Sequence, residues 1–178
     1  MDKIAVGDKE FELYISKEQI SQKISALGKQ IEQDYKDKNP VFICLLNGAF
    51  IFAADLFRTI NFPSEISFIR LSSYLGTQST GEVKTLLPVD KKFKGRHIIL
   101  VEDIIDTGRT LHELIPQIEA VAPASVKLVS LLSKPTARTH EVHIDYTGFE
   151  IPDKFVVGYG MDYNEQGRNL PEIYVLAE

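Results

Sequence analysis

Residues 101–110 read Val101-Glu102-Asp103-Ile104-Ile105-Asp106-Thr107-Gly108-Arg109-Thr110, and on them the reading of the fold turns. Upstream, the apolar Ile98-Ile99-Leu100-Val101 is the centre of a strand candidate over 96–102. A run that short and aliphatic suits a strand buried on both faces. Downstream, Thr110 to Val121 has helical periodicity, with Thr110 and Glu113 spaced as a capping box and Pro116 as a local conflict. The ten residues thus join a buried strand to a helix through a glycine-containing turn. Open α/β sheets bind their ligands there, beyond the carboxyl ends of the strands.

The residue types in that turn suit a particular ligand. Backbone N–H groups of Thr107, Gly108, Arg109 and Thr110 open onto a helix N-terminus, which attracts a phosphate through unsatisfied donors and the helix dipole. Gly108 lets the backbone approach an anion closely. The hydroxyls of Thr107 and Thr110 add donors. Glu102 and Asp103 can accept hydrogen bonds from sugar hydroxyls or face a hydrated Mg²⁺. A helix cap would account for Asp106 and Thr107 alone. It does not account for three carboxylates beside a buried strand, which are costly without a cation or donors nearby.

The flanks extend the pattern. Ile20, Ile24, Leu27, Ile31 and Tyr35 predict an amphipathic helix over 17–36, opened by a Ser16/Gln19 capping box and stopped by Asn39-Pro40. Val41 to Leu46 reads as a second buried strand. Asn47-Gly48 turns the chain into a helix over 49–59, with Phe50, Ala53, Ala54 and Phe57 expected inward. Further strands are expected at 65–71, 83–87, 126–132, 155–159 and 173–176. Residues 72–82 are polar and hydroxyl-rich, and read as a mobile loop. Strands alternating with helices predict an α/β fold around a central, mainly parallel sheet flanked by helices.

Composition narrows the classes. In 178 residues, 44% are hydrophobic and 25% charged, the balance of a globular domain able to bury its own core. The net charge of −5 does not favour nucleic-acid binding. The single cysteine, Cys44, excludes a disulfide scaffold and reads as packing rather than a nucleophile. His97, His112, His140 and His143 have no metal-ligand spacing. The N-terminal residues lack the apolar core of a secretory signal, and no apolar run approaches the ~18 residues that span a bilayer. A cytoplasmic protein without a membrane partner is expected.

The stretch 101–110 resembles the phosphoribosyl-diphosphate (PRPP) motif of type I phosphoribosyltransferases, most closely the hypoxanthine-guanine branch. Four further segments are similar in the same order: Leu46-Asn47-Gly48; Ser73-Tyr74 with Ser79-Thr80-Gly81; Lys134; and 152–159 running into Asp162-Tyr163-Asn164-Glu165 and Arg168. The similarity covers nearly the whole chain.

The resemblance implies a single domain over 1–178 with the type I phosphoribosyltransferase fold. A small hood would come from the N-terminal segment and residues after about 150. It implies transfer of the 5-phosphoribosyl group from PRPP to N9 of hypoxanthine or guanine, with Mg²⁺ as cofactor. Asp106 would be the catalytic base or acid beside purine N7. Glu102 and Asp103 would hold the ribose hydroxyls and Mg²⁺, and residues 106–110 the 5′-phosphate. Leu46, Asn47 and Gly48, with a cis peptide at Leu46-Asn47, would form the pyrophosphate loop together with Arg168. Asn47 stands where the family often carries lysine. Ser73 and Tyr74 would lie in a loop folding over the site.

Lys134 would donate to purine O6, Phe155 would stack on the ring, and Val156 would meet the base edge through its backbone. Asp162 would face a second Mg²⁺, and Arg138 would help orient the region. A homodimer or homotetramer is implied, with aromatics near Phe50, Phe52 and Phe57 as a candidate interface. Alternatives are a xanthine-preferring enzyme, an RNA- or nucleotide-binding regulator on the same fold, and a nucleotide-binding module without catalysis.

Overall fold

The computed structural model describes residues 3–73, 83–85 and 91–177. Along the chain run β1 (Lys3–Val6), β2 (Lys9–Ile15), α1 (Lys17–Tyr35), β3 (Val41–Leu46), α2 (Phe50–Phe57), β4 (Glu65–Ser73) and β5 (Val83–Thr85). There follow β6 (His97–Ile105), α3 (Arg109–Glu119), β7 (Ser125–Ser133), β8 (Tyr146–Glu150), β9 (Val156–Val157) and β10 (Ile173–Leu176).

The main sheet has the order β5-β4-β3-β6-β7-β8. Its β4, β3, β6, β7 and β8 are parallel, and the short β5 runs antiparallel at the edge. The apolar runs of β3 and β6 follow from burial on both faces. Successive strand side chains point to opposite sides. Phe42, Cys44, Ile99 and Val101 pack toward α1 and α2. Val41, Ile43, Leu45, Ile98 and Leu100 pack with Leu111, Leu114 and Ile118 of α3. Each such fully buried side chain contributes about 1.5–3 kcal/mol.

A second sheet, order β1-β2-β10-β9, unites the first strands with the last. β2 and β10 pair antiparallel, and Val6, Phe11, Val157 and Tyr174 form its own small core.

The expected α1, β3 and β10 match the structure within a residue, and the Ser16/Gln19 capping box is present. Other expectations need correction. β6 continues to Ile105, so Glu102 and Asp103 lie within the strand and not beyond its end. α3 starts at Arg109 with Gly108 as its N-cap at φ 81°, and it carries no side-chain cap. Glu113 instead pairs with Arg109 one turn back, at 2.9 Å. Pro116 sits inside this helix without ending it. α2 buries Phe52, Ala53 and Leu56, whereas Phe50 and Ala54 are exposed. Phe52 therefore cannot serve a surface contact. The strand expected over 155–159 is confined to Val156–Val157, because Gly158, Tyr159 and Gly160 all take positive φ and turn the chain. Tyr74 and the 79–81 segment lie outside the described residues. No helix among the described residues is long and apolar enough to cross a membrane.

Candidate active site

Strand register assembles the centre of the site. β6 and β7 are parallel neighbours, with Ile105 opposite Ser133. The next residue on each strand, Asp106 and Lys134, therefore emerges side by side at the carboxyl edge of the sheet. The Lys134 backbone N–H donates to Ile105 O at 2.9 Å. Its side chain is buried, and its ammonium lies 3.2 Å from Asp106 Oδ2 and 3.2 Å from Asp153 Oδ1. A buried lysine needs such partners, since an uncompensated charge there would cost several kcal/mol, in rough terms.

Residues 104–111 with Glu102 line a pocket of about 90 Å³ at the mouth of α3. The loop is braced from behind. Thr107 O accepts from the backbone N–H groups of Thr139 and His140, each at 3.0 Å. Arg138 donates to Asp106 O at 3.3 Å and to Ser133 Oγ at 2.9 Å. Gly108 is required here: at φ 81° an added Cβ would lie 2.7 Å from His140 O and 2.8 Å from Arg138 Cδ. Gly108 as N-cap has no side chain to offer, and the Arg109 N–H makes a long contact of 3.4 Å with Thr107 Oγ1, so the start of α3 faces the pocket.

Glu102 and Asp103, adjacent on β6, leave it on opposite sides. Glu102 lines the phosphate-sized pocket and accepts from the Asp103 N–H at 3.2 Å. Asp103 is buried against the backbone of Gly48. Burial, reinforced by the neighbouring Asp103 charge, holds the Glu102 carboxyl well above the usual carboxylate range. A hard carboxylate facing an anion-binding pocket, here Glu102, suits Mg²⁺, which takes one or two carboxylates together with substrate phosphates. Asp162 does not join Glu102 there. Among the described residues no three metal-ligating side chains converge. Asp162 instead pairs with Arg168 at 2.9 Å and accepts from the Glu165 N–H.

The 46–48 loop reaches this centre through the contact of Gly48 with Asp103. The Leu46-Asn47 peptide is cis, and Gly48 follows it. Gly160 packs on Gly48 O so closely that a Cβ would overlap it. Arg168 donates to Gly160 O at 2.9 Å, which fixes this turn against the 46–48 loop. Tyr159 donates to Asp55 of α2, securing the same turn from the other side. Phe155 is 46% exposed, beside Phe11 at 6.2 Å and Tyr163 at 5.9 Å between ring centres. Val156 is buried in the second sheet. Ser73 ends β4. Cys44 is buried, and its thiol is pushed up to about 12 by desolvation and by Glu102 and Asp103, which removes it as a nucleophile.

The sequence reading missed Asp153, Asp55 and the bracing role of Thr139 and His140. Only Asp153 had a signal, its place inside the quoted 152–159 segment.

The phosphoribosyl transferase domain family matches residues 14–164, a span that holds the pocket, Asp106, Lys134 and the 46–48 loop. The chain belongs to the phosphoribosyltransferase family. Within that family it is 48% identical to the hypoxanthine-guanine phosphoribosyltransferase of Lactococcus lactis over 163 residues, covering 91% of this chain and 88% of that one. It is 44% identical to the enzyme of the same name from Streptococcus thermophilus over 167 residues, 93% of each. A crystal structure of a Bacillus anthracis hypoxanthine-guanine phosphoribosyltransferase superposes with a TM-score of 0.86 at 43% identity, covering 94% of this chain and 97% of that one. The fold is that of the type I phosphoribosyltransferases.

Proposed function

We propose that the chain salvages purines by transferring the 5-phosphoribosyl group of PRPP to N9 of hypoxanthine or guanine. The products are IMP or GMP and pyrophosphate. The observation that carries this reading is the placing of Asp106 and Lys134 side by side, 3.2 Å apart, at the mouth of the α3 pocket. A proton acceptor and a fixed ammonium there match the N7 and O6 edge of a 6-oxopurine.

The 5′-phosphate sits at the N-terminus of α3, held by backbone N–H groups of 107–110 and the hydroxyls of Thr107 and Thr110. The ribose hydroxyls rest on Glu102 and Asp103. The pyrophosphate lies between Asn47, Gly48 and Arg168, where backbone donors and the guanidinium face its charge. The purine ring stacks on Phe155, its edge toward the Val156 backbone. The second sheet covers the base as a hood on a single domain.

N9 forms its bond to ribose C1′ as the C1′–O bond to pyrophosphate breaks, and the N7 proton passes to Asp106. Proton removal strengthens the nucleophile as positive charge develops on the ribose. Lys134 donates to O6; adenine, with an amino group there, leaves the lysine without an acceptor. Glu102 and Asp103 would hold Mg²⁺, which would supply charge stabilisation for the departing pyrophosphate.

The protein works in the cytoplasm as a homodimer or homotetramer. Half-exposed Phe50 and Phe68 suit such contacts. Pyrophosphate release from PRPP with hypoxanthine, guanine, xanthine and adenine, with and without Mg²⁺, tests the reading. Turnover with hypoxanthine and guanine that needs Mg²⁺ is expected. Preference for xanthine, or no turnover with any base, overturns it.

A further inference from the structure

Lys134 is shared between two carboxylates, and only one of them has a task in the transfer. Its ammonium is 3.2 Å from Asp106 Oδ2 and 3.2 Å from Asp153 Oδ1. The placement of Asp153 is built in. Ser133 pairs with Glu150 across β7 and β8, and the Ile151 N–H donates to Ser133 O at 2.9 Å. The Lys154 N–H then donates to Pro152 O at 2.8 Å, so the chain turns at Asp153. Residue 153 is thereby held over residue 134 by backbone bonds on both sides.

We infer that Asp153 is a positioning residue, which holds the Lys134 ammonium toward the oxygen of the base and away from a closed pair with Asp106. This rests on the proposed 6-oxopurine transfer. With Asp106 as its only partner, Lys134 would form a one-to-one ion pair with the very group that must accept a proton. Such a pair stabilises the charged carboxylate and weakens it as a base. When Asp106 takes the N7 proton it becomes neutral and no longer balances the buried ammonium. Asp153 then supplies the balancing charge at the Lys134 ammonium. Two of its N–H groups meet carboxylates and the third is directed to O6.

The charged groups around the pair are few among the described residues. Arg138 meets the Asp106 backbone oxygen, and Glu102 and Arg109 line the same pocket. Of the two carboxylates at the Lys134 ammonium, Asp153 is the one outside that pocket.

The test compares the wild-type chain with Asp153→Asn and Asp153→Glu. Three quantities are read: the pH profile of kcat/KM for hypoxanthine, KM for each substrate, and the ¹³C titration of the Asp106 carboxyl without substrates. In Asp153→Asn the acidic limb and the Asp106 midpoint both move down, because Asp106 then has the whole ammonium and lacks a neighbouring negative charge. KM for hypoxanthine rises about tenfold while KM for PRPP stays the same. Asp153→Glu restores both in large part. An unmoved Asp106 titration overturns the inference, as do equal rises in both KM values. Absence of turnover in the wild type would defeat the transfer reading instead, and the Asp106 titration would still decide the role of Asp153.

Discussion

The backbone of Gly48 lies directly against the carboxylate of Asp103: a Cβ at position 48 would overlap Oδ2 and sit 2.7 Å from Cγ. Gly160 in turn packs on the carbonyl of Gly48. Three segments remote in sequence thus meet at one point, and the point is where sugar, metal and pyrophosphate would converge. Gly48→Ala should displace either Asp103 or the 46–48 loop. KM for PRPP is expected to rise at least about tenfold with a small change in KM for the base, as steady-state kinetics with each substrate varied will show. An unchanged KM for PRPP would separate this contact from substrate binding.

Asp106 and Lys134 should fail differently. Asp106→Asn is expected to lose about 10²-fold or more in kcat while PRPP still binds, since only the proton acceptor is removed. Calorimetric titration with PRPP–Mg²⁺ beside turnover assays tests the split. Lys134→Ala is expected to erode the preference for hypoxanthine over adenine, and an unaltered base preference refutes its role at O6.

Burial and the Asp103 charge raise the Glu102 carboxyl, so its ionisation works against the metal-free fold. A group raised above its unfolded value of about 4.5 contributes its full stability below that pH and loses it as pH rises through the folded value. Glu102→Gln should therefore match wild type near pH 4 and melt higher than wild type at pH 8. The gain is on the order of 1 kcal/mol, or about 3 °C in a chain of this size. Differential scanning calorimetry at the two pH values measures it. In the wild type, PRPP–Mg²⁺ should bind more tightly as pH rises, because the metal displaces a proton. A pH-independent affinity would count against Glu102 as a ligand.

Gly108 is held at a positive φ with Arg138 and His140 packed against it. Gly108→Ala should cost about 2–3 kcal/mol from backbone strain and crowding together. Urea unfolding reads this loss, and protection of the folded state by IMP should weaken in parallel.

The parts of the fold legible in sequence were those with local causes. The β3 run, the period of α1 and its Ser16 cap are each specified by neighbouring residues. The phosphate loop was legible for the same reason, since strand, turn and helix are contiguous. The α3 cap was misread because Thr110 and Glu113 have the spacing of a capping box, while the packing of Arg138 and His140 fixes the helix start one residue earlier, after Gly108. β1, β2 and β8 escaped notice because they depend on partners elsewhere in the chain. β2 alternates like many exposed segments, and becomes a strand by pairing with β10. Asp153 was invisible as a partner of Lys134 because only the β7–β8 register brings the two together.

The pairing of β2 with β10 has a consequence for synthesis on the ribosome. The β1–β2 hairpin leaves the ribosome well before β10, and the edge it will share with β10 stays uncovered until residues 173–176 follow. Nascent chains stalled before Ile173 should therefore display a vacant strand edge to chaperones, and emergence of β10 should end that exposure.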